Sequence, residues 1–391
     1  MSFPAPQPQP LVGHLGRWGT DPLGLLTEGA ALGPVFSVRL WRRVVVGHSP
    51  EWNRLVLGDL RTFRSKGSMS AMSPYLNGGL VQTDEPVHRS RRQEINPSMH
   101  RTALVDLQPR IEAVTRAHLP DGDFEANTWA SGLVRALLSA IFFDDEVPAA
   151  LLGRFLAPLD RRLPAPFVPR PRLFRRMDRA LADALEHPRP GTLAAAFAHV
   201  PGGLEEARVA LAAAYDTTAH TLAWLLWHLA GDASFGEPDL LPHTVEETLR
   251  LYPAGWVGSR VTSLPVSFEG VHIPPGTLVM YSPYLTHRNP TLWTDPLTFR
   301  PQRFAEALPA WGFVPFAAGE RTCLGAPLAR LILRTVAAEL TTGRLTRVGE
   351  IPGVRAGITL AADGPLRLHH APVMAGPQGG ARRDVPVGTG R

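Results

Sequence analysis

The stretch that decides the fold is Phe316-Ala-Ala-Gly-Glu-Arg-Thr-Cys-Leu-Gly325, which contains Cys323, the one cysteine among the 391 residues. A cysteine binds metal as the thiolate, and the partial positive charge at a helix N-terminus stabilises that form. Apolar residues recur at helical spacing from Leu324 to Leu340, so we predict a helix directly after Cys323. A buried structural cysteine is the usual alternative for an isolated thiol. The glycines that flank Cys323 favour a metal-binding loop, because they let the main chain approach a flat ligand closely.

A second pattern lies on a predicted helix that ends before Pro253. Glu247 and Arg250 are three residues apart and therefore share one face of this helix. A weak ion pair at the surface is the ordinary interpretation of such a pair. A further arginine, Arg303, follows within Phe299-Arg-Pro-Gln-Arg-Phe304. The charges could instead form one buried network, in which the loss of a partner is costly.

A long, mostly apolar helix is predicted from Leu204 to Ala230, as expected for a central buried element. Asp216 and Thr217 lie inside it, and polar groups in such a helix are costly unless they are hydrogen-bonded. One interpretation is a threonine that bonds back to the carbonyl one turn earlier. The other is a pair of side chains that face a bound ligand.

A basic segment, Asp84-Glu-Pro-Val-His-Arg-Ser-Arg-Arg92, precedes these helices. His88 and Arg92 are four residues apart, hence on one helix face, and both can donate hydrogen bonds to a carboxylate. A solvated basic face is the alternative, and it is the one we favour for Arg89 and Arg91.

Taken in chain order, from Asp84 to Leu340, these segments resemble the cytochrome P450 family, whose heme-binding loop is matched at Phe316, Gly319, Arg321, Cys323 and Gly325. The resemblance implies a triangular, mainly α-helical fold with a smaller β portion. It also implies a b-type heme (iron protoporphyrin IX) whose iron Cys323 ligates. A thiolate ligand pushes electron density towards the iron and favours O–O cleavage.

The resemblance also implies roles for individual residues. It makes Glu247, Arg250 and Arg303 a structural charge triad, and Asp216 and Thr217 a proton relay to bound oxygen. Ala214 stands where the family usually has glycine. The residues expected to contact the heme are Phe316, Gly319, Gly325 and Ala213 at the ring, and His88, Arg92, Arg260 and Arg321 at the propionates.

The implied activity is monooxygenation of an apolar substrate, which uses O2 and two electrons. The electrons would come from a ferredoxin-type partner, which an NAD(P)H-dependent reductase reduces. The stretches 250–256 and 281–288 resemble bacterial carotenoid-ring hydroxylases, which suggests a carotenoid or terpenoid substrate. A fatty-acid hydroxylase, a peroxygenase and a non-catalytic heme sensor remain alternatives. The acid–threonine pair argues against the peroxygenase.

The net charge is +5, and Lys66 is the only lysine, so the basic side is almost all arginine. Because the arginines are dispersed, they favour docking of an acidic electron-transfer protein over nucleic-acid binding. The sequence shows neither a long apolar span nor a signal peptide, and a single cysteine fits a reducing compartment, so we expect a cytoplasmic bacterial protein.

We expect a single domain over residues 1–370, with β structure near 30–60 and 260–300 and helices over 84–255 and 324–340. Residues 371–391 are expected to form a disordered tail. The pocket is expected to involve residues 68–80, 210–217 and 253–258. Prolines break the stretch 161–176, which we interpret as an access lid or, through Phe167 and Phe174, as a peripheral membrane contact.

Overall fold

The computed structural model describes residues 3–68, 73–159 and 170–372. These residues form a mainly helical fold with a smaller β portion, as predicted. The α-helices are α1 Leu15–Thr20, α2 Pro22–Ala31, α3 Pro50–Gly58, α4 Ser73–Leu76, α5 Val87–Ile95, α6 Arg101–Leu104, α7 Gln108–Ala117, α8 Ala126–Phe143, α9 Ala149–Leu156, α10 Pro171–Glu186, α11 Leu193–Phe197, α12 Gly203–Leu229, α13 Leu241–Leu251, α14 Pro283–Thr286 and α15 Ala326–Thr341. The strands are β1 Val35–Arg39, β2 Arg43–Gly47, β3 Phe63–Arg64, β4 Gly122–Glu125, β5 Gly258–Thr262, β6 Val266–Phe268, β7 Val271–Ile273, β8 Leu278–Tyr281, β9 Arg344–Arg347, β10 Val354–Ala356, β11 Leu360–Ala362 and β12 Arg367–Ala371.

Helix α12 is the central element, and it confirms the long helix predicted from Leu204 to Ala230. It begins after Gly202, which adopts a left-handed conformation with φ of 77°, and its first turn carries Glu205 and Glu206. Acidic side chains there complement the positive end of the helix dipole. The helix packs against α8, α10, α13 and α15, and every residue from 218 to 229 is buried. An element surrounded in this way can present side chains to the inside of the protein.

The main sheet has five strands in the order β1-β2-β8-β5-β3, with β2 and β8 parallel and the other neighbours antiparallel. In β2, Val44 and Val46 pack into one buried cluster while Val45 packs into another, on the opposite face. This alternation is the two-residue period of a strand, and it explains why a run of valines forms a strand covered on both faces.

The structure departs from the expected limits of the β structure in three places. Strand β4, Gly122–Glu125, lies inside the range 84–255 that was expected to be helical. Residues 50–58 are helical, because Pro50 occupies the first turn and the Ser49 hydroxyl caps it by accepting from the Trp52 N–H. Four short strands, β9 to β12, follow the last helix, where none was predicted. The last of them, β12, includes Ala371, which was predicted to belong to the disordered tail. The tail beyond residue 372 lies outside the described residues.

The stretch 161–176 was predicted as one broken loop, but its last six residues belong to α10. Pro171 sits at the start of this helix, where a missing N–H costs little. The ring of Phe174 packs edge-on against Tyr75 and Phe155, at centroid distances of 5.0 and 5.1 Å. Phe174 therefore lies in a helix and not in the broken loop, while the lid and the peripheral membrane contact stay predictions. Residues 161–169, which include Phe167, lie outside the described residues. No helix among those described is long and apolar enough to cross a membrane.

The predicted charge triad is confirmed as a buried network. Arg250 donates two hydrogen bonds to the Glu247 carboxylate, from Nε at 2.7 Å and Nη2 at 2.8 Å. Arg303 Nε donates to the same carboxylate at 3.2 Å. Arg250 also donates to the carbonyls of His287 and Pro296, both at 2.7 Å. The network thus ties α13 to the irregular chain that leads to the cysteine loop.

Candidate functional site

The loop before Cys323 is held in a tight conformation by its own backbone. The Cys323 N–H donates to the Phe316 carbonyl at 2.8 Å, which closes the loop. Ala317 and Gly319 adopt left-handed angles, with φ of 57° and 71°. A Cβ atom at Gly319 would lie 2.9 Å from the Leu57 carbonyl oxygen, so both the angle and the close approach require glycine.

The thiol of Cys323 lies at the start of α15, where the backbone N–H groups of Gly325 and Ala326 point towards it. Burial raises the pKa of this thiol, while those N–H groups and the charge of Arg92 act in the opposite direction. The side chain is nevertheless accessible. A thiol that is both desolvated and accessible borders an enclosed hollow. A bound metal ion would hold it as the thiolate, because coordination deprotonates a thiol outright.

One face of α12 is accessible although the helix is central to the fold. Ala210, Ala213, Ala214 and Thr217 follow helical spacing, and all four are accessible on a helix whose C-terminal half is entirely buried. Helix α12 packs on α15, the helix that follows Cys323. We therefore infer that the accessible face of α12 and the accessible thiol border one hollow within the fold, with Ala213 and Thr217 on its α12 side.

The Thr217 hydroxyl donates to the Ala213 carbonyl at 2.6 Å. This is the backbone-bonded conformation that the alternative interpretation of the pair expected. It leaves the hydroxyl oxygen able to accept a further hydrogen bond on the open face. The two interpretations of Thr217 are thus compatible in one geometry.

Four cationic or donor side chains, those of His88, Arg92, Arg260 and Arg321, gather beside the loop. Burial lowers the pKa of Arg92, and the charge of Cys323 opposes this effect, so Arg92 lies near the thiol. Burial and then the neighbouring Arg260 lower the pKa of Arg321. Burial and then Arg321 lower the pKa of His88, whose Nδ1 is 3.0 Å from a Glu85 oxygen. Each positive charge makes the protonated form of its neighbours less favourable, so an anionic ligand would stabilise the cluster.

The donors of this cluster also test whether a heme fits. Arg321 donates to Ser65 Oγ at 2.8 Å, to the Thr83 carbonyl at 2.5 Å and to Asp84 at 3.4 Å. The Nε atoms of Arg321 and Arg260 are buried and lack a hydrogen-bond partner among the described residues. Buried donors of this kind are costly unless they are paired. Heme propionates are anions with several acceptors each, and they suit these arginines.

Phe316 and Gly325 complete the surroundings of the thiol. The guanidinium of Arg330 lies 4.6 Å from the centre of the Phe316 ring, so one side of this ring is stacked by a cation. A Cβ atom at Gly325 would meet only the Cys323 sulfur, at 3.9 Å, among nearby atoms. The missing side chain therefore keeps room beside the sulfur for a flat group.

The predicted position of Asp216 needs a correction. Its carboxylate was expected to face bound oxygen together with Thr217, but it is buried and accepts a 2.8 Å hydrogen bond from the Thr359 hydroxyl. His220 Nδ1 lies 3.4 Å from the same carboxylate. Successive residues of a helix point about 100° apart, so neighbours cannot share one direction.

Sequence reasoning missed His220, Thr359 and His287. The i, i+4 spacing of Asp216 and His220 was a signal that could have been used. Thr359 is 143 residues further along the chain than Asp216, and no local pattern connects them. His287 was treated as ordinary, yet its ring is fully buried between Arg250 and the residues before the cysteine loop.

Comparisons with known proteins agree with this site. The family model described as Cytochrome P450 matches residues 236–340, which include the charge triad and the cysteine loop. The chain is 28% identical to cyclooctat-9-en-7-ol 5-monooxygenase of Streptomyces melanosporofaciens, over 89% of this chain and 90% of that protein. It is 27% identical to cyclooctatin synthase of the same organism, over 93% and 94% of the two chains.

Solved structures share the fold. A 6-coordinated cytochrome P450 from Thermus thermophilus superposes with a TM-score of 0.78 at 23% identity, covering 90% of this chain and 99% of the other. The retinoic acid-bound cyanobacterial CYP120A1 superposes with a TM-score of 0.79 at 20% identity, covering 94% and 99%. At these identities, the likeness establishes the fold.

The fold, the lone thiol at a helix start and the cluster of buried arginines beside it are the features expected of a heme-thiolate protein. The chain matches the cytochrome P450 family model over residues 236–340 and has the fold of solved cytochrome P450 structures. It is a monooxygenase, an oxidoreductase that uses O2, and its cofactor is heme b.

Proposed function

We propose that this protein hydroxylates a C–H bond of an apolar, terpenoid-type substrate. The observation that carries the proposal is the accessible face of α12, where three alanines and Thr217 present almost wholly apolar surface to the hollow. Pockets lined in this way bind apolar ligands and use a few polar groups for orientation. Two relatives that align with about nine-tenths of the chain or more carry names from cyclooctatin synthesis, which supports a terpenoid.

The heme would be held from two directions. Cys323 would ligate the iron, while Arg92, Arg260, Arg321 and His88 would bind the propionates. When bound, the heme supplies the redox chemistry that activates O2 for attack on a C–H bond. The protein's share is to position the substrate and to exclude water from an apolar space.

Thr217 would act on the open face of α12. Its hydroxyl is fixed by the Ala213 carbonyl, and its oxygen can accept a proton or a hydrogen bond from a water molecule in the hollow. Asp216 would supply protons from the buried side of the same helix. We therefore propose that the acid acts through its neighbour and through water rather than by direct contact with O2.

Electrons would come from a ferredoxin-type protein served by an NAD(P)H-dependent reductase. The sequence contains no recognisable flavin or iron–sulfur segment, and the net charge of +5 suits an acidic partner. Such an encounter weakens as salt screens the charges. Turnover that falls steeply between low and high salt would support this docking, and turnover independent of salt would contradict it.

The substrate class can be tested by spectral titration of the purified holoprotein with terpenoids, carotenoids and fatty acids. Displacement of water from the iron changes the absorption spectrum and reports binding in the pocket. We expect terpenoids to bind most tightly, with carotenoids as the narrower candidate that the sequence suggests. Tightest binding of fatty acids would overturn the terpenoid assignment.

The reaction type needs a second experiment, in which product formation with ferredoxin, reductase and NAD(P)H is compared with product formation from hydrogen peroxide alone. We expect product to depend on O2 and electrons, because Asp216 and Thr217 form an acid–hydroxyl pair suited to proton delivery. Product from peroxide alone at the same rate would favour a peroxygenase. Binding without product under either condition would favour a heme sensor.

A further inference from the structure

Three buried polar side chains meet behind the open face of α12. Asp216, His220 and Thr359 are 4%, 5% and 2% exposed, so their hydrogen-bonding groups depend on protein partners. Thr359 lies between the other two. Its Oγ1 is 2.8 Å from Asp216 Oδ2 and 2.6 Å from His220 Nδ1.

The donors and acceptors in this row can be assigned from one fact, namely that a hydroxyl has a single hydrogen. The carboxylate of Asp216 is an acceptor, so the Thr359 hydroxyl donates to it. The same hydroxyl must then accept from His220, whose Nδ1 therefore carries a hydrogen. The row has one direction, from the His220 ring through the Thr359 hydroxyl to the Asp216 carboxylate.

The fold holds the middle of the row in place. Thr359 lies in the turn between β10 and β11, where the Gly357 N–H donates to the Thr359 carbonyl at 2.9 Å. The Trp256 indole N–H donates to the Gly357 carbonyl at 3.0 Å and fixes the turn from outside. Asp216 and His220 are one turn apart on α12, so their spacing is also fixed.

We propose that His220 and Thr359 are positioning residues that deliver protons to Asp216. A hydronium ion from solvent would protonate His220 at Nε2 and leave as water, and the imidazolium would release its Nδ1 proton to the Thr359 oxygen as the hydroxyl's own proton moves to Asp216 Oδ2. A neutral imidazole, an unchanged hydroxyl and a neutral carboxylic acid result, and no electron changes hands. This inference depends on the proposed role of Asp216 in proton supply.

The hydrogen-bond row can be tested independently of turnover by nitrogen-15 NMR of the histidine-labelled holoprotein, in its diamagnetic reduced carbon-monoxide form. His220→Gln identifies the resonance. We expect the Nδ1–H tautomer in the wild type, its loss in Thr359→Val and its retention in Thr359→Ser. Thr115→Val is the matched control, because Thr115 is buried on α7 and bonds to the Ile111 carbonyl at 2.7 Å. An Nε2–H tautomer in the wild type, or no change in Thr359→Val, would overturn the proposal.

The delivery itself is tested by the product formed per NAD(P)H consumed. We expect this ratio to fall about tenfold or more in Thr359→Val, as for loss of a proton-transfer group, and to recover in Thr359→Ser. The Asp216→Asn/Thr359→Val double variant should be no worse than Asp216→Asn alone. An unchanged ratio in Thr359→Val would overturn the proposed proton delivery to Asp216 without contradicting the proposed function. If the wild type itself forms no product, the proposed function fails, and the proton delivery that depends on it fails with it.

Discussion

His287 accepts a 2.9 Å hydrogen bond at Nε2 from the backbone N–H of Val314, two residues before Phe316. Its Nδ1 lies 3.1 Å from the Arg250 carbonyl oxygen and must be the donor there. The ring therefore joins the charge triad to the loop that carries Cys323. A buried neutral imidazole is the only protonation state that makes both bonds.

We expect His287→Phe to weaken this connection, because the Val314 N–H would be left buried without an acceptor. The free energy of unfolding in urea should fall by about 1–3 kcal/mol, and heme should dissociate faster. His100→Phe, at an exposed position, is the control and should change neither quantity. Equal heme retention in the two variants would show that the bond does not support the loop.

Stability should fall as the pH is lowered below the ordinary histidine pKa. Burial lowers the pKa of His287 and of His228 to about 3 each, from 6.5. The unfolded chain binds these protons near pH 6.5 and the folded chain does not, so the stabilisation is complete above pH 6.5 and is lost towards pH 3. Each histidine should contribute a loss of about 2 kcal/mol between pH 6.5 and pH 5. Urea unfolding at these two pH values measures it, and His287→Phe should reduce the loss by one histidine's share.

Glu247→Ala should be among the most damaging single changes. It would leave Arg250 buried without its carboxylate, at a cost of about 3–5 kcal/mol, and little holoprotein should accumulate. Glu246→Ala is a matched control at the adjacent position, since Glu246 pairs with the partly exposed Arg330 at 2.6 Å. The two variants are compared by their heme content per protein, measured by absorbance. Similar losses of heme in both would mean that the triad has no special role.

Cys323→Ser should abolish the red-shifted band of the reduced carbon-monoxide complex, because that band reports a thiolate ligand. The protein should still bind heme through the arginine cluster, though more weakly. Thr322→Ser, which keeps the hydroxyl beside Cys323, should retain the band. A persisting band in Cys323→Ser would exclude Cys323 as the ligand.

Thr217→Ala should divert electrons from product into hydrogen peroxide, since the open face of α12 would lose its hydroxyl. Peroxide released per NAD(P)H is the measurement. Thr218→Ala is the control on the same helix, because Thr218 is buried and lies about 100° around the helix from Thr217. Equal peroxide yields in the two variants would remove Thr217 from proton delivery.

What the sequence could predict was local. The charge pair at 247 and 250, the cysteine loop and the long helix each occupy a short window, and the structure bears them out. The contacts of Asp216 with Thr359, and of His287 with Val314, join residues that are distant in the chain. The strands after residue 341 were missed for a related reason, because strands of three to five residues pair only where the tertiary structure brings them together.

The alanine face of α12 has a consequence for evolution. Enlarging a side chain in a packed core causes strain, whereas enlarging one that borders a hollow fills space that packing does not use. Ala210, Ala213 and Ala214 are accessible on an otherwise enclosed helix. Larger residues at these positions would therefore reduce the space for a ligand with little loss of folding stability. Selection could therefore retune which molecules enter while the scaffold stays intact, and a small library at these three positions would be an economical route to new specificities.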